Sequence, residues 1–194
     1  MNPEKMTTTL QSAIAEAQQV AMTRHHQEID IAHLWKIFLQ ANQFGRNFYT
    51  DAGIDADALE SEVDRLLDGI SAVEGSNVRY GQSMSQNLFT LLSEADQLKN
   101  QFQDEYLSTE IVLLALMKLQ HHPLTVYLKK QGITEKSLTQ TIEQLRGGDH
   151  VTSQNQEEQY KALEKYGVDL VQQVRSGKMD PIIGRDEEIR DVIR

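Results

Sequence analysis

Apolar residues recur along this chain at helical spacing, and they do so twice in nearly the same order. The first series starts behind Thr7, Thr8 and Thr9, a run of N-cap residue types. Leu10, Ile14, Ala17 and Val20/Ala21 follow as one stripe, which ends in the cationic Arg24-His25-His26. Asp30 caps a second helix carrying Ile31, Leu34, Trp35, Phe38 and Leu39. A short third helix holds Phe44, Phe48 and Tyr49 and stops at Gly53, and Asp55 opens a fourth with Leu59, Val63, Leu66 and Leu67 inwards. Residues 71–84 show no period and read as a connecting loop. The pattern then returns. Ser85 caps a fifth helix with Leu88, Leu91/Leu92, Ala95, Leu98 and Phe102, and Ser108 caps a sixth with Ile111, Val112, Leu114 and Met117. Pro123 starts a seventh through Tyr127 and Leu128 to Gly132, and an eighth runs from about Glu135 to Arg146.

The two series align. Glu16-Ala17 recurs as Glu94-Ala95, Asp30 as Ser108, and Gly53-Ile54 as Gly132-Ile133 after one inserted residue. Two four-helix units, about 1–70 and about 85–148, are each near the lower limit for an independent core. Packed together they predict one all-α domain over residues 1–148 with pseudo-two-fold symmetry. The stripes of helices two and six lie centrally, and a groove runs where the copies meet. Gly147-Gly148 closes this domain. Residues 149–159 are polar and without period, which reads as a flexible linker. A new amphipathic segment begins at Tyr160, and a turn, Met179-Asp180-Pro181-Ile182-Ile183-Gly184, leads to a short acid-started helix. Its Ile189, Val192 and Ile193 have no partner in sight, so 160–194 reads as the truncated start of another domain.

Composition narrows the function classes. With 39% hydrophobic and 25% charged residues the chain is ordinary for a globular protein, and its few aromatics and three prolines favour helices over many short strands. No apolar run approaches the ~20 residues that cross a bilayer, and the N-terminus lacks the pattern of a secretory signal. A net charge of −10 argues against a nucleic-acid surface. The absence of cysteine removes thiol chemistry and suits a reducing, cytoplasmic setting. The histidines come largely as adjacent pairs, His25-His26 and His121-His122, which on a helix do not converge on one ion, so no metal is expected. Gly177-Lys178 imitates the end of a phosphate loop, but Met179 stands where Ser or Thr would hold magnesium and Gln172 where the first glycine belongs. The chain is therefore not expected to hydrolyse ATP.

The doubled unit followed by Asp180-Pro181-Ile182-Ile183-Gly184-Arg185-Asp186-Glu187-Glu188-Ile189 resembles the Hsp100/Clp family of ATP-driven unfoldases, most of all its disaggregating branch. The resemblance covers essentially all 194 residues. It implies two tandem Clp repeats and the entry to the first AAA+ module, in which Ile182, Ile183 and Gly184 line part of an adenine pocket. It further implies a helical receptor that engages unfolded or aggregated polypeptide for an ATP- and Mg-dependent homohexamer working with the DnaK system, with this piece a monomer by itself. The rival branch supplies unfoldases to a protease and docks adaptors on the corresponding domain. A stand-alone helical scaffold is a third reading, against which the unpaired final helix speaks.

The same resemblance carries substrate engagement onto Thr7, Asp104 and Glu110. Each also has a plain structural role available: Thr7 as an N-cap, Glu110 as a first-turn carboxylate, Asp104 as a solvated loop acid. The first repeat holds His26 and Ala32 where the second holds Asp104 and Glu110, so this charge is one-sided. Carboxylates beside an apolar groove would favour basic, hydrophobic client segments. Replacing both acids by alanine is then expected to weaken capture without lowering the melting temperature.

Overall fold

Where most of the helices begin is decided by a polar side chain that takes up an otherwise unpaired N–H. Thr7 does so for α1 (Thr8–Thr23), Asp30 for α2 (Ile31–Phe38), Asp55 for α4 (Ala56–Asp68), Ser85 for α5 (Gln86–Gln101) and Thr134 for α8 (Glu135–Arg146). Between them lie α3 (Phe44–Asp51), α6 (Thr109–Leu116) and α7 (Pro123–Lys130), the last with proline in its first turn. The computed structural model describes residues 2–157 and Tyr160. The expected helix from Tyr160 onwards, and the Ile182-Ile183-Gly184 pocket segment, lie outside the described residues.

The repeat is legible helix by helix. α1 and α5 are each 16 residues, and α2, α6, α3 and α7 are each 8. The turns after α1 and α5 both use a non-glycine residue in the left-handed region, His25 (φ 61°) and Gln103 (φ 60°). Helices α2 and α6 form the centre: all eight residues of α6 are buried, as is all of α2 except Lys36. Gly45 brings α3 against α2, since a Cβ there would lie 2.8 Å from that of Phe38.

Extended pairing that has no sequence period joins the copies. Glu28-Ile29 (β1) runs parallel to Ser83-Met84 (β2), and Met6 bridges Leu107 in the same sense. These two contacts are symmetry mates: the stretch before the first helix of each repeat pairs with the stretch before the second helix of the other. The amides repeat the match, Thr7 donating to the Leu107 carbonyl at 2.9 Å and Ser85 to that of Ile29 at 2.9 Å.

Residues 149–157 differ from expectation. The domain boundary foreseen at Gly148 falls at Glu157, because this polar stretch packs on the domain, with Val151 and Glu157 almost fully buried. Its backbone finds partners there that water would otherwise supply.

Candidate functional site

The groove expected between the copies is present. It encloses about 1010 Å³ and is lined by matched positions of α1 and α5: Gln11 with Phe89, Ile14 with Leu92, Ala15 with Ser93, and Gln18 with Asp96. The segments before these helices, Asn2 to Met6 and Gly81 to Met84, form its rims. Symmetry fails in chemistry. Phe89 is 55% exposed and Met84 37%, whereas their counterparts are the polar Gln11 and the buried Met6. An exposed phenylalanine in a concave site costs solvation unless something covers it.

The three residues singled out from sequence do not line this groove; its charged residues are Lys5, Asp96 and Lys99. Asp104 and Glu110 lie inside the second repeat and Thr7 where the start of α1 meets it, with Thr7 and Glu110 completely buried and Asp104 6% exposed. Asp104 is no solvated loop acid. Arg146 grips it with two bonds, Nη1 to Oδ1 at 3.0 Å and Nη2 to Oδ2 at 2.9 Å, and donates Nε to Glu110 Oε2 at 3.1 Å. The guanidinium also lies 5.5 Å from the Phe102 ring centroid. Only the forked, planar cation of arginine meets this geometry. Thr7 Oγ1 accepts from the Leu10 amide at 3.3 Å, as the sequence predicts for an N-cap.

Ser108, expected to cap α6, makes no such bond; its hydroxyl instead accepts from Arg146 Nη2 at 3.3 Å. The cap comes from outside the helix: Glu157 Oε2 accepts from the Thr109 amide at 3.0 Å and is also bonded by the Thr7 hydroxyl. Burial, together with the charge of Glu110, pushes the Glu157 carboxyl up to about 7. Burial likewise raises the Glu110 carboxyl, with Arg146 pulling it back. Arg146 bonds two of these three buried carboxylates, and the surplus of negative charge is what a proton on Glu157 reduces by one.

The first repeat fills its equivalent centre with neutral rings. His26 Nδ1 lies 2.8 Å from His33 Nε2, and His33 Nδ1 accepts from the Asp30 amide at 2.8 Å. That amide fixes the tautomer: His33 carries its proton on Nε2 and donates it to His26. Burial is the first cause that lowers both rings, His33 to about 4. This pair is invisible in the sequence, since the partners are seven apart across a turn.

The profile of the Clp repeat (R) N-terminal domain matches residues 5–131. The chain belongs to this family. It is 76% identical over its whole length to the chaperone protein ClpB of Enterococcus faecalis, and 60% identical to that of Lactococcus lactis subsp. lactis strain IL1403. In each case it spans 22% of the relative's length. Among solved structures, the Hsp104 N-terminal domain from Candida albicans superimposes with a TM-score of 0.64 at 20% identity, covering 77% of this chain and 97% of that one. The N-domain of ClpV from Vibrio cholerae gives 0.62 at 18%, over 73% and 85%. A ClpV N-domain in complex with a VipB peptide gives 0.58 at 20%, over 73% and 86%. These likenesses show the Clp N-domain fold, and the groove sits where its two repeats face each other.

What sequence reading missed in this Clp domain is Arg146, His33 and Glu157. Arg146 had one signal: it is the last residue before the Gly147 turn, at a helix end that favours cations, so its burial beside acids is a tertiary fact.

Proposed function

We propose that this Clp domain captures unfolded or aggregated polypeptide in the groove between α1 and α5, on behalf of a ClpB-type ATP-dependent disaggregase. The observation that carries the reading is Phe89, 55% exposed on the wall of a concave site with Met84 at its rim. Such a patch suits apolar side chains of many sequences, which is what an unfolded client offers and a native surface hides. The relationship to chaperone ClpB sequences supports it, and a ClpV N-domain bound to a VipB peptide supports peptide capture as a use of this fold.

In this proposal ATP and Mg are handled by the part of the protein that lies beyond this domain, arranged as a homohexamer acting with the DnaK system in the cytoplasm. Ile182, Ile183 and Gly184 contribute to the adenine pocket of that larger protein. Thr7, Asp104 and Glu110 contribute to client engagement by holding the structure around the groove, being too buried to touch a client. The test is fluorescence anisotropy of a labelled, permanently unfolded protein and of its native form, with and without nucleotide. Capture of the unfolded form alone, indifferent to nucleotide and weakened about tenfold or more in Phe89→Ser, is the expected result. Equal binding of both forms, or full binding by Phe89→Ser, would overturn it.

A further inference from the structure

The two repeats close their inter-repeat clasp in different ways. In the first, Asp30 accepts from the Ile31 amide at 2.7 Å and from the Ser85 hydroxyl at 2.7 Å, so one residue caps α2 and ties it to the start of α5. In the second, residue 108 is serine, and Glu157 makes both equivalent bonds, to the Thr109 amide and the Thr7 hydroxyl. The acid that belongs to the helix in one copy is thus carried in the other by a segment 48 residues further along.

That segment buries one apolar side chain, Val151, and is otherwise attached through polar bonds. Asp104 Oδ1 accepts from the Val151 amide at 2.9 Å, and the Val151 carbonyl accepts from Glu105 at 2.8 Å. The Gln154 carbonyl accepts from Thr8 at 2.7 Å, while Gln154 Nε2 donates to the Glu4 carbonyl at 2.9 Å. Each of these has a ready replacement in water, unlike the apolar contacts of α2 and α6. The remaining oxygens, Glu157 Oε1 and Glu110 Oε1, are buried without a hydrogen-bond partner among the described residues, a cost that undocking relieves.

We propose that residues 149–157 form a releasable strap, clasped by Glu157 onto Thr7 and α6 and received by Asp104, which opens while both repeats stay folded. Thr7, Asp104 and Glu110 surround the clasp, so they act as positioning residues for the strap. Opening has two consequences. It adds nine residues, up to about 30 Å of reach, to the connection that follows the domain. It also removes the strap's bonds to Glu4, Met6 and Thr8, leaving this segment, part of which is one rim of the groove, held by its pairing with Leu107. The inference stands apart from the client reading, since it concerns only contacts within this chain.

Amide hydrogen exchange of the whole chain tests it, because Thr8, Glu105, Thr109 and Val151 donate only to the strap or to its receptor. In the wild type these four are expected to exchange together through an opening well below global unfolding, while core amides such as Leu113 and Leu114 wait for the latter. Glu157→Ala should speed all four by about tenfold or more, the size of a lost bond to a carboxylate, and leave Leu113 unchanged. Glu157→Gln, which keeps an acceptor, should restore most of the protection. Unchanged exchange at Thr8 and Val151 in Glu157→Ala would overturn the proposal. If that variant unfolds, wild-type exchange in rising denaturant decides: merging of the four amides with the core at all concentrations overturns it, and a separate early opening supports it.

Discussion

Laid over one another, the two repeats show one backbone plan with opposite chemistry at its centre. The first is aromatic and neutral: Trp35 donates its Nε1–H to the Tyr49 hydroxyl at 2.9 Å, Trp35 and Phe38 meet edge-on, and His26 leans on His33. At the matching places the second has Leu113, Leu116 and Leu128, and in place of His26 an aspartate held by Arg146. Helix lengths, to within one residue, are what duplication preserved; the interior polar groups diverged as pairs. An unpaired Asp104 opposite Leu67, the counterpart of Arg146, would be a buried charge without compensation. The difference teaches where each copy is vulnerable: one to protons, the other to loss of a single cation.

The largest effect is therefore expected from Arg146→Ala, which strands two buried carboxylates and should cost about 3–5 kcal/mol, read as a fall in melting temperature. Arg146→Lys should recover only part of it, because a point charge cannot make the two-pronged bond to Asp104. Asp104→Ala with Glu110→Ala is expected to lower melting as well, contrary to the sequence expectation that both acids are dispensable for stability.

Acid should strike the first repeat. His33 is held at about 4 against an ordinary 6.5, so the unfolded chain takes a proton in that window and the folded one does not. Stability from this ring is complete above pH 6.5 and falls by about 3 kcal/mol as pH drops to 4. Glu157 slopes the other way. Its folded carboxyl titrates near 7 and its unfolded one near 4.5, so its contribution is full below 4.5 and is lost as pH rises to 7. The groups facing it are Glu110 on α6 and, through Glu110, Arg146 on α8 with Asp104. Denaturant melts from pH 4 to 8 check this: His33→Leu should remove the acid slope, and Glu157→Gln the opposing one.

A smaller contrast separates the matched caps. Ser85→Ala should cost about 1 kcal/mol, the usual loss of an N-cap. Thr7→Ala should cost more in protection of the strap amides, since its hydroxyl also meets Glu157. Should the two behave alike in exchange, the clasp is not where the repeats differ. Smallest of all is Phe89→Ser, which touches an exposed side chain and should shift stability by within about 0.5 kcal/mol while removing client capture.

The helices of this domain were legible because apolar spacing and capping residues act over a few neighbouring positions. Thr7, Asp30, Asp55, Ser85 and Thr134 open their helices as their side chains dictate, and Gly53, Gly132 and Gly147 close them with positive φ. Duplication was legible for the same reason, and with it the groove on the pseudo-two-fold axis. The two-residue pairings of β1 with β2 were not, for a strand that short has no period to read.

The sequence by itself thus determined the elements, their order and their repetition, all of which follow from forces between residues close along the chain. Tertiary structure alone decided which polar groups would meet. His26 found His33, Asp104 and Glu110 found Arg146, and a stretch that reads as solvated linker folded back so that Glu157 caps α6. The reason is that a buried charge takes its energy from whatever lies within a few ångströms, and spacing along the chain does not fix that distance across 36 to 48 residues.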